Sequence, residues 1–225
     1  MTFYWVEQEK KMPDKPLHPS VQWARWRSDD RTFKYWDKDA AEEKPVVLPD
    51  EMIIVAIGYS IWGYVNALWA GVRSNEIYDF DDPFIVRKNN GEIWLKGTWK
   101  EIWEAAKAAW AKLTNNVHYT TKDSLEMRTF QLSWAGTKAW IDSIKNIWLN
   151  PEYNLIHLKE VAEAKKGRVS YTYPVFENIG ALDQNSKNLQ KAFAEQLIKH
   201  NMNAKKEIEE ELRWAAITPE DWLPF

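Results

Sequence analysis

The strongest constraint on the fold is one amphipathic segment, residues 99–113 (WKEIWEAAKAAWAKL), flanked on both sides by segments of strand composition. Its larger apolar residues recur at helical spacing and predict one buried stripe, formed by Trp99, Ile102, Trp103, Ala106, Trp110 and Leu113. The preceding segments VVLP and MIIVAI are rich in β-branched residues, EIYDF reads as a further strand, and KNNG between PFIVRK and EIWLKG is typical of a hairpin turn. The pattern therefore predicts a β-rich fold interrupted by a helix.

Two more hairpins and a second helix follow. Residues 115–133 predict a hairpin around the turn KDS, and residues 137–148 a helix with one apolar face. NLIHLKEVA and RVSYTYPVF predict a third hairpin, closed by AKKG. Strands interrupted by one helix and then completed by further strands are typical of the oligonucleotide-binding (OB) fold. We therefore expect a mainly β fold with flanking helices (α+β), built on an OB-like five-stranded barrel over residues 46–180.

The remaining residues predict additions to this barrel. Residues 1–45 alternate aromatic and charged side chains, and QWARWR and RTFKYW around SDD predict an N-terminal arm or hairpin. Residues 181–216 contain NSKNLQKAFAEQLIKH and KKEIEEELRW, which predict a C-terminal helix. A proline then stops the helix, and residues 217–225 predict an acidic and aromatic tip.

Composition narrows the class of protein. The 225 residues include no cysteine, which excludes disulfides and thiolate metal sites and favours a reducing compartment. No apolar run is long enough to cross a bilayer and the first residues lack a secretory-signal pattern, so we expect a cytoplasmic protein. The formal charge of −3 permits only local basic patches. Fifteen tryptophans suit either a core or stacking on flat ligands.

The block from KPVVLPDEMIIVAI through RTFQLSWAGTKAWID to AKKGRVSYTYPVFE resembles the single-stranded-DNA-binding proteins of tailed bacteriophages. The resemblance is carried by the apolar first strand, TWKEI, NVHYTTKDSLEMRTFQL, AGTKAWID and KKGRVSYTYPVF. It implies an OB-fold accessory protein that binds and protects single-stranded DNA during replication or recombination in the host cytoplasm. It implies no enzymatic activity, no cofactor, no metal and no membrane contact, and it leaves the oligomeric state open between monomer and dimer.

The last residues, EDWLPF, are similar to the DDDIPF tip of bacterial single-stranded-DNA-binding proteins. Five of them match that tip in residue or in chemistry: Glu220, Asp221, Leu223, Pro224 and Phe225. Trp222 stands where that family has a third acid. The resemblance implies a docking segment for replication and recombination proteins, in which Phe225 enters an apolar pocket and the acids steer the tail. The alternative is an ordinary chain end with a chance Pro-Phe.

Single strands are held by aromatic platforms under the bases and by cations along the phosphates. Aromatic residues and Lys/Arg interleave on the predicted strands PFIVRKNNGEIWLKG, NVHYTT, EMRTF and AKKGRVSYTY. The predicted DNA-binding residues are Phe84, Arg87, Lys88, Trp94, Lys96, Tyr119, Arg128, Phe130, Lys165, Lys166, Arg168, Tyr171 and Tyr173. Core packing of the aromatic rings is the alternative for each of them, and a merely solvated turn is the alternative for Lys165 and Lys166.

Three other functions stay open. EIYDFDDPF supplies four acids that could bind Mg²⁺ as in a nuclease, although no separated second set of acids completes a two-metal site. A tryptophan-rich β-domain could also bind sugars, or serve as a structural or assembly module. The four histidines show no HxxxH or HxH spacing, and the chain contains neither a phosphate loop nor a GxSxG elbow. These patterns predict no zinc site and no catalytic residues.

Overall fold

The structure, a computed structural model, describes residues 17–133, 135–146 and 151–216. This part of the chain forms one large sheet with three α-helices. The strands are β1 (Ser20–Arg27), β2 (Thr32–Asp37), β3 (Glu42–Val46), β4 (Met52–Val65), β5 (Ala70–Ser74), β6 (Phe84–Lys88), β7 (Ile93–Gly97), β8 (Lys112–Thr120), β9 (Met127–Ser133), β10 (Asn154–Lys166) and β11 (Val169–Ala181). The helices are α1 (Trp99–Ala108), α2 (Ala135–Asn146) and α3 (Gln184–Ala216), and a short 3₁₀ turn spans Asn66–Leu68.

Strand β4 organises the sheet because it pairs with three other strands. The strand order is β3-β2-β1-β9-β8-β4-β5-β6-β7. Outside this path, β10 pairs with the start of β4 and with β11. The middle of β4 pairs with β8 and its end with β5. Only the β1–β9 contact is parallel among these pairings. The antiparallel ones are hairpins between consecutive strands and the pairings of β4 with β8 and β10.

One face of the central strands packs into the core. Phe130 of β9, Trp140 of α2 and Phe176 of β11 are fully buried, with ring centroids 4.9–5.9 Å apart. A second apolar cluster lies under α1, where Ile102 packs with residues of β4, β5 and β6. Together these clusters leave the opposite face of β1, β9, β8 and β4 for polar side chains.

The prediction of a mainly β fold with flanking helices is confirmed. The sheet has eleven strands in the described part of the chain, and its path ends at β3 and β7. It is therefore an open sheet, larger than the predicted five-stranded barrel. The predicted N-terminal hairpin forms, but β1 adds in parallel to the edge of β9 and so extends the sheet.

The predicted helix is shorter than its sequence pattern. It ends at Ala108, because Trp110 adopts a left-handed backbone (φ 61°) and turns the chain into β8. Ile102 and Ala106 are buried as predicted, whereas Trp103 is 40% and Trp110 71% exposed. The expected strand EIYDF is instead a loop, attached to β4 by a single bridge between Tyr59 and Ile77.

The C-terminal helix α3 packs against the first residues of β4. Phe193 and Leu197 pack against Met127, and Gln190 donates a hydrogen bond to the backbone oxygen of Ile54 at 2.7 Å. The side chain of Asp183 accepts a hydrogen bond from the backbone N–H of Ser186 and so caps the first turn. No helix in the described ranges combines the length and the apolar character that a bilayer crossing requires.

Candidate functional site

The polar face of the sheet is built from alternate residues of neighbouring strands. In register, Arg25 of β1 lies beside Gln131 of β9, Gln131 beside Asn116 of β8, and Asn116 beside Gly58 of β4. Because strand side chains alternate between faces, these residues all point away from the core. They form a row that crosses four strands.

Hydrogen bonds run along this row. Nε of Arg25 donates to Oε1 of Gln131 at 2.7 Å, and Nε2 of Gln131 donates to Oδ1 of Asn116 at 2.9 Å. Nδ2 of Asn116 then donates to Oε1 of Glu76 at 2.6 Å. Each amide therefore donates to one neighbour and accepts from the other. The row holds Arg25 at one end and the Glu76 carboxylate at the other.

Arg25 lies beside a tryptophan. Its guanidinium carbon is 4.5 Å from the ring centroid of Trp62, and Nζ of Lys112 is 5.7 Å from the same ring. Nε1 of Trp62 is buried and has no hydrogen-bond partner among the described residues. Because a buried N–H without a partner is unfavourable by about 1–3 kcal/mol, an acceptor group of a ligand at this position would be stabilised.

These side chains line a cavity of about 460 Å³, and a second cavity of about 530 Å³ adjoins it at Lys112. Lys112 lines both cavities, which we together call the tryptophan groove. The second cavity adds Trp103, Trp110 and Lys166, and Nζ of Lys107 lies 5.4 Å from the Trp103 ring. The groove thus alternates indole rings with cations over several strands and the α1–β8 turn.

Charge is distributed unevenly along the groove. Its carboxylates, those of Asp29, Asp30 and Glu43, come from the β1–β2 turn and β3, and Glu43 pairs with Arg27. Two cations, Arg73 and Arg27, lie near Arg25. Burial lowers the pKa of the Arg25 guanidinium most, and the charges of Arg73 and Arg27 lower it further. A bound anion beside Arg25 would relieve this repulsion.

At the other end of the row, the Glu76 carboxylate is surrounded by donors. Oε1 accepts a hydrogen bond from Asn116 and lies 3.0 Å from Nε2 of His118. Oε2 accepts a hydrogen bond from the hydroxyl of Tyr78 at 2.8 Å and lies 3.4 Å from Nε2 of His18. Burial by itself would raise the pKa of Glu76, but the charge and hydrogen bond of His118, together with His18 and Asn116, hold it well below its usual range. Burial and the Glu76 charge raise the pKa of Tyr78.

The tautomer of His118 follows from its neighbours. The hydroxyl of Thr129 donates to Oγ of Ser20 at 2.8 Å, so it must accept from Nδ1 of His118, 2.7 Å away. His118 therefore carries a proton on Nδ1 and presents Nε2 to Glu76. Thr129 is 1% exposed and its proton is committed to Ser20, so the arrangement does not provide an accessible nucleophile.

Helix α3 covers this cluster. His200 lies with its ring centroid 4.9 Å from that of His18, and Lys205 binds both carboxylate oxygens of Asp82 at 2.7 Å. A cavity of about 300 Å³ remains between the helix and the sheet, lined by these histidines, Glu76 and Arg73. We call it the Glu76 pocket. It shares Gln131 with the tryptophan groove.

The structure separates the sequence-predicted DNA-binding residues into two groups. Phe84, Tyr119 and Phe130 are at most 2% exposed and belong to the core, so the prediction that these rings stack on bases is corrected. The other predicted residues are partly or fully exposed: Arg87, Lys88, Trp94, Lys96, Arg128, Lys165, Lys166, Arg168, Tyr171 and Tyr173. Of these, Lys166 lines the tryptophan groove. The predicted partner-binding residues 220–225 lie outside the described residues, as do residues 1–16 of the predicted arm.

Sequence reasoning missed most of the residues that meet in the two sites, apart from Lys166 and Glu76. Arg25, Trp62 and Lys112 come from three separate segments, so no local pattern joins them. The available signal was alternation: Trp23, Arg25 and Arg27 of QWARWR share one face of a strand. The absence of a HxxxH motif led us to expect no metal site, yet His18, Glu76 and His118 place ligand atoms within 4.8 Å of one another.

Comparison of the chain with protein-family models, with curated proteins and with solved structures gives no match.

Proposed function

We propose that the chain binds single-stranded DNA, without sequence specificity, in the tryptophan groove. The observation that carries the proposal is the contact of Arg25 and Lys112 with the Trp62 ring, continued by the exposed rings of Trp103 and Trp110. Bases stack on such rings irrespective of their identity, and cations between the rings bind the phosphates.

The order of α1 and its neighbouring strands supports the part of this proposal that relates the chain to the OB fold. Helix α1 lies between β7 and β8, and β8 pairs back with β4. An OB fold likewise carries one helix between two of its strands, after the third, whereas four strands, β4–β7, precede α1 in the predicted barrel region here. The role in phage replication or recombination, in the host cytoplasm, belongs to the same proposal. Residues 220–225 would then recruit partner proteins, and deleting Leu223, Pro224 and Phe225 should spare DNA binding while abolishing partner capture.

A titration tests the proposal. The chain is titrated with oligo-dT at two salt concentrations while tryptophan fluorescence is recorded. Binding should quench the fluorescence and weaken with log[salt], with a slope of about −0.7 per neutralised phosphate. The variant Arg25→Met should bind more weakly, whereas Lys122→Met, in the β8–β9 turn, should match the wild type. Thermal melting of both variants controls for folding.

Two results would overturn it. If oligo-dT neither quenches the tryptophan fluorescence at low salt nor binds in a salt-dependent way, single-strand binding is excluded. New DNA fragments after incubation with Mg²⁺ would instead indicate a nuclease.

A further inference from the structure

We propose that His18, Glu76 and His118 form a binding site for a divalent transition-metal ion such as Zn²⁺, open toward the Glu76 pocket. The three residues come from the segment before β1, the loop after β5 and strand β8. The inference stands apart from DNA binding, since no contact in the tryptophan groove is needed for it.

The distances from the two imidazoles to Glu76 fit such an ion. Nε2 of His118 lies 3.0 Å from Oε1 of Glu76, and Nε2 of His18 lies 3.4 Å from Oε2. Two ligands bound at about 2.0–2.2 Å in a tetrahedral site are roughly 3.3 Å apart, so these two distances match. The three ligand atoms together span up to 4.8 Å, so one imidazole has to move inward when an ion binds. Two imidazoles with one carboxylate are a donor set that suits Zn²⁺.

Groups around the cluster already hold two ligands in place. The Thr129 hydroxyl fixes the proton of His118 on Nδ1, so Nε2 offers its lone pair to an ion. The hydroxyl of Tyr78 and the amide of Asn116 each bind one oxygen of Glu76 and orient the carboxylate. Such outer hydrogen bonds are what positions metal ligands in proteins. Without an ion, a proton between His118 and Glu76 takes its place.

His18 is the weaker third ligand. The backbone N–H of Ser20 donates to its Nδ1 at 3.0 Å, which places the ring proton on Nε2. Coordination through Nε2 moves that proton to Nδ1 and breaks the Ser20 hydrogen bond. We therefore expect Glu76 and His118 to contribute more to affinity than His18. The remaining coordination position faces the Glu76 pocket, where a water molecule can occupy it.

Cobalt binding tests the site directly. The full chain, stripped with a chelator, is titrated with Co²⁺ and the visible absorption of the bound ion is recorded; Zn²⁺ competition follows by calorimetry. We expect one saturable equivalent that Zn²⁺ displaces. Glu76→Gln should weaken binding at least about tenfold, and His18→Gln should weaken it by less. His157→Gln, a histidine bonded to the backbone oxygen of Asp50, is the matched control and should leave affinity unchanged.

The contrary results are equally clear. A wild-type chain without saturable binding at micromolar metal overturns the proposal. So does equal affinity in the wild type and in a folded Glu76→Gln variant. If Glu76→Gln does not fold, His18→Gln decides, because an unchanged affinity and cobalt spectrum in that variant would exclude the third ligand and with it the site.

Discussion

The Glu76 carboxylate lies directly over Gly58, in the space that a β-carbon at position 58 would occupy. Two backbone hydrogen bonds between Tyr59 and Ile77, of 2.7 and 2.9 Å, hold the loop after β5 against β4 at this point. Gly58 also pairs in register with Asn116, which donates to the same carboxylate. The missing side chain of Gly58 therefore lets a charged group sit on the sheet within reach of its donors.

The first prediction concerns Gly58→Ala. In an ordinary strand this change would stabilise the protein by about 0.4–1 kcal/mol, because alanine restricts the unfolded chain. Here we expect destabilisation, since the new methyl group displaces Glu76 from its donors. Urea unfolding of both proteins measures the difference.

A double-mutant cycle isolates the cause. In a Glu76→Ala background the space above position 58 is open, so Gly58→Ala should be neutral or stabilising there. An equal effect of Gly58→Ala in both backgrounds would contradict the steric explanation.

Local pattern was enough for the hairpins, but not for the edge strand β3, which ends at the first residue of the predicted strand VVLP. The turn KNNG and the alternation in QWARWR and RTFKYW specify pairings between neighbours in the chain, and these form as predicted. Local pattern did not predict where α1 ends, because the helical spacing of apolar residues continues through Trp110 and Leu113. The chain reverses at Trp110, and Leu113 packs in the second apolar cluster from a strand.

The candidate sites depend on contacts that no local pattern encodes. Glu76 and His118 are 42 residues apart, and Arg25 and Gln131 are 106 apart. These contacts follow from the parallel pairing of β1 with β9 and from the register of β8 on β4. A shift of one residue in either register would turn each polar side chain toward the core.

The second prediction concerns Tyr119 and high pH. Burial raises the pKa of Tyr119 to about 12, although the charge of Arg128 opposes this. Because the folded pKa lies above the ordinary value of 10.0, the contribution to stability is complete below pH 10 and disappears as the pH rises through 12. At pH 11 the loss is about 1.4 kcal/mol. Tyr119→Phe should remove that part of the alkaline destabilisation.

Urea unfolding at pH 8 and pH 11 checks this. The exposed Tyr153→Phe variant is the control and should lose as much stability as the wild type between the two pH values. An unchanged loss in Tyr119→Phe would contradict the assignment of the raised pKa to this residue.

The third prediction compares two exposed lysines that the sequence placed among the DNA-binding residues. Lys166 lines the tryptophan groove, whereas Lys96 lies on β7, three strands from β4 in the sheet. Lys166→Met should reduce the slope of log affinity against log[salt] by about 0.7, since one phosphate contact is lost. Lys96→Met should leave the slope unchanged. The reverse result would move the bound strand to the β6–β7 surface.

The fourth prediction separates binding from folding at Trp110. This residue is 71% exposed and has a φ of 61°, a conformation that costs a non-glycine residue roughly 1–2 kcal/mol. Trp110→Gly removes both the strain and the ring, so the protein should be as stable as the wild type or more so. Affinity for oligo-dT should nevertheless fall by roughly 5- to 150-fold, the effect of one lost stacking platform of about 1–3 kcal/mol.

Trp69 provides a matched control for this variant. It is 86% exposed, has a φ of 47°, and does not line the tryptophan groove. Trp69→Gly relieves the same kind of backbone strain, so its melting temperature should rise in the same direction while affinity stays unchanged. If the two variants lose affinity equally, the exposed rings bind DNA wherever they lie on the surface, and the groove is not the site. If only Trp110→Gly loses affinity, while remaining fully folded, the loss arises from stacking at that position.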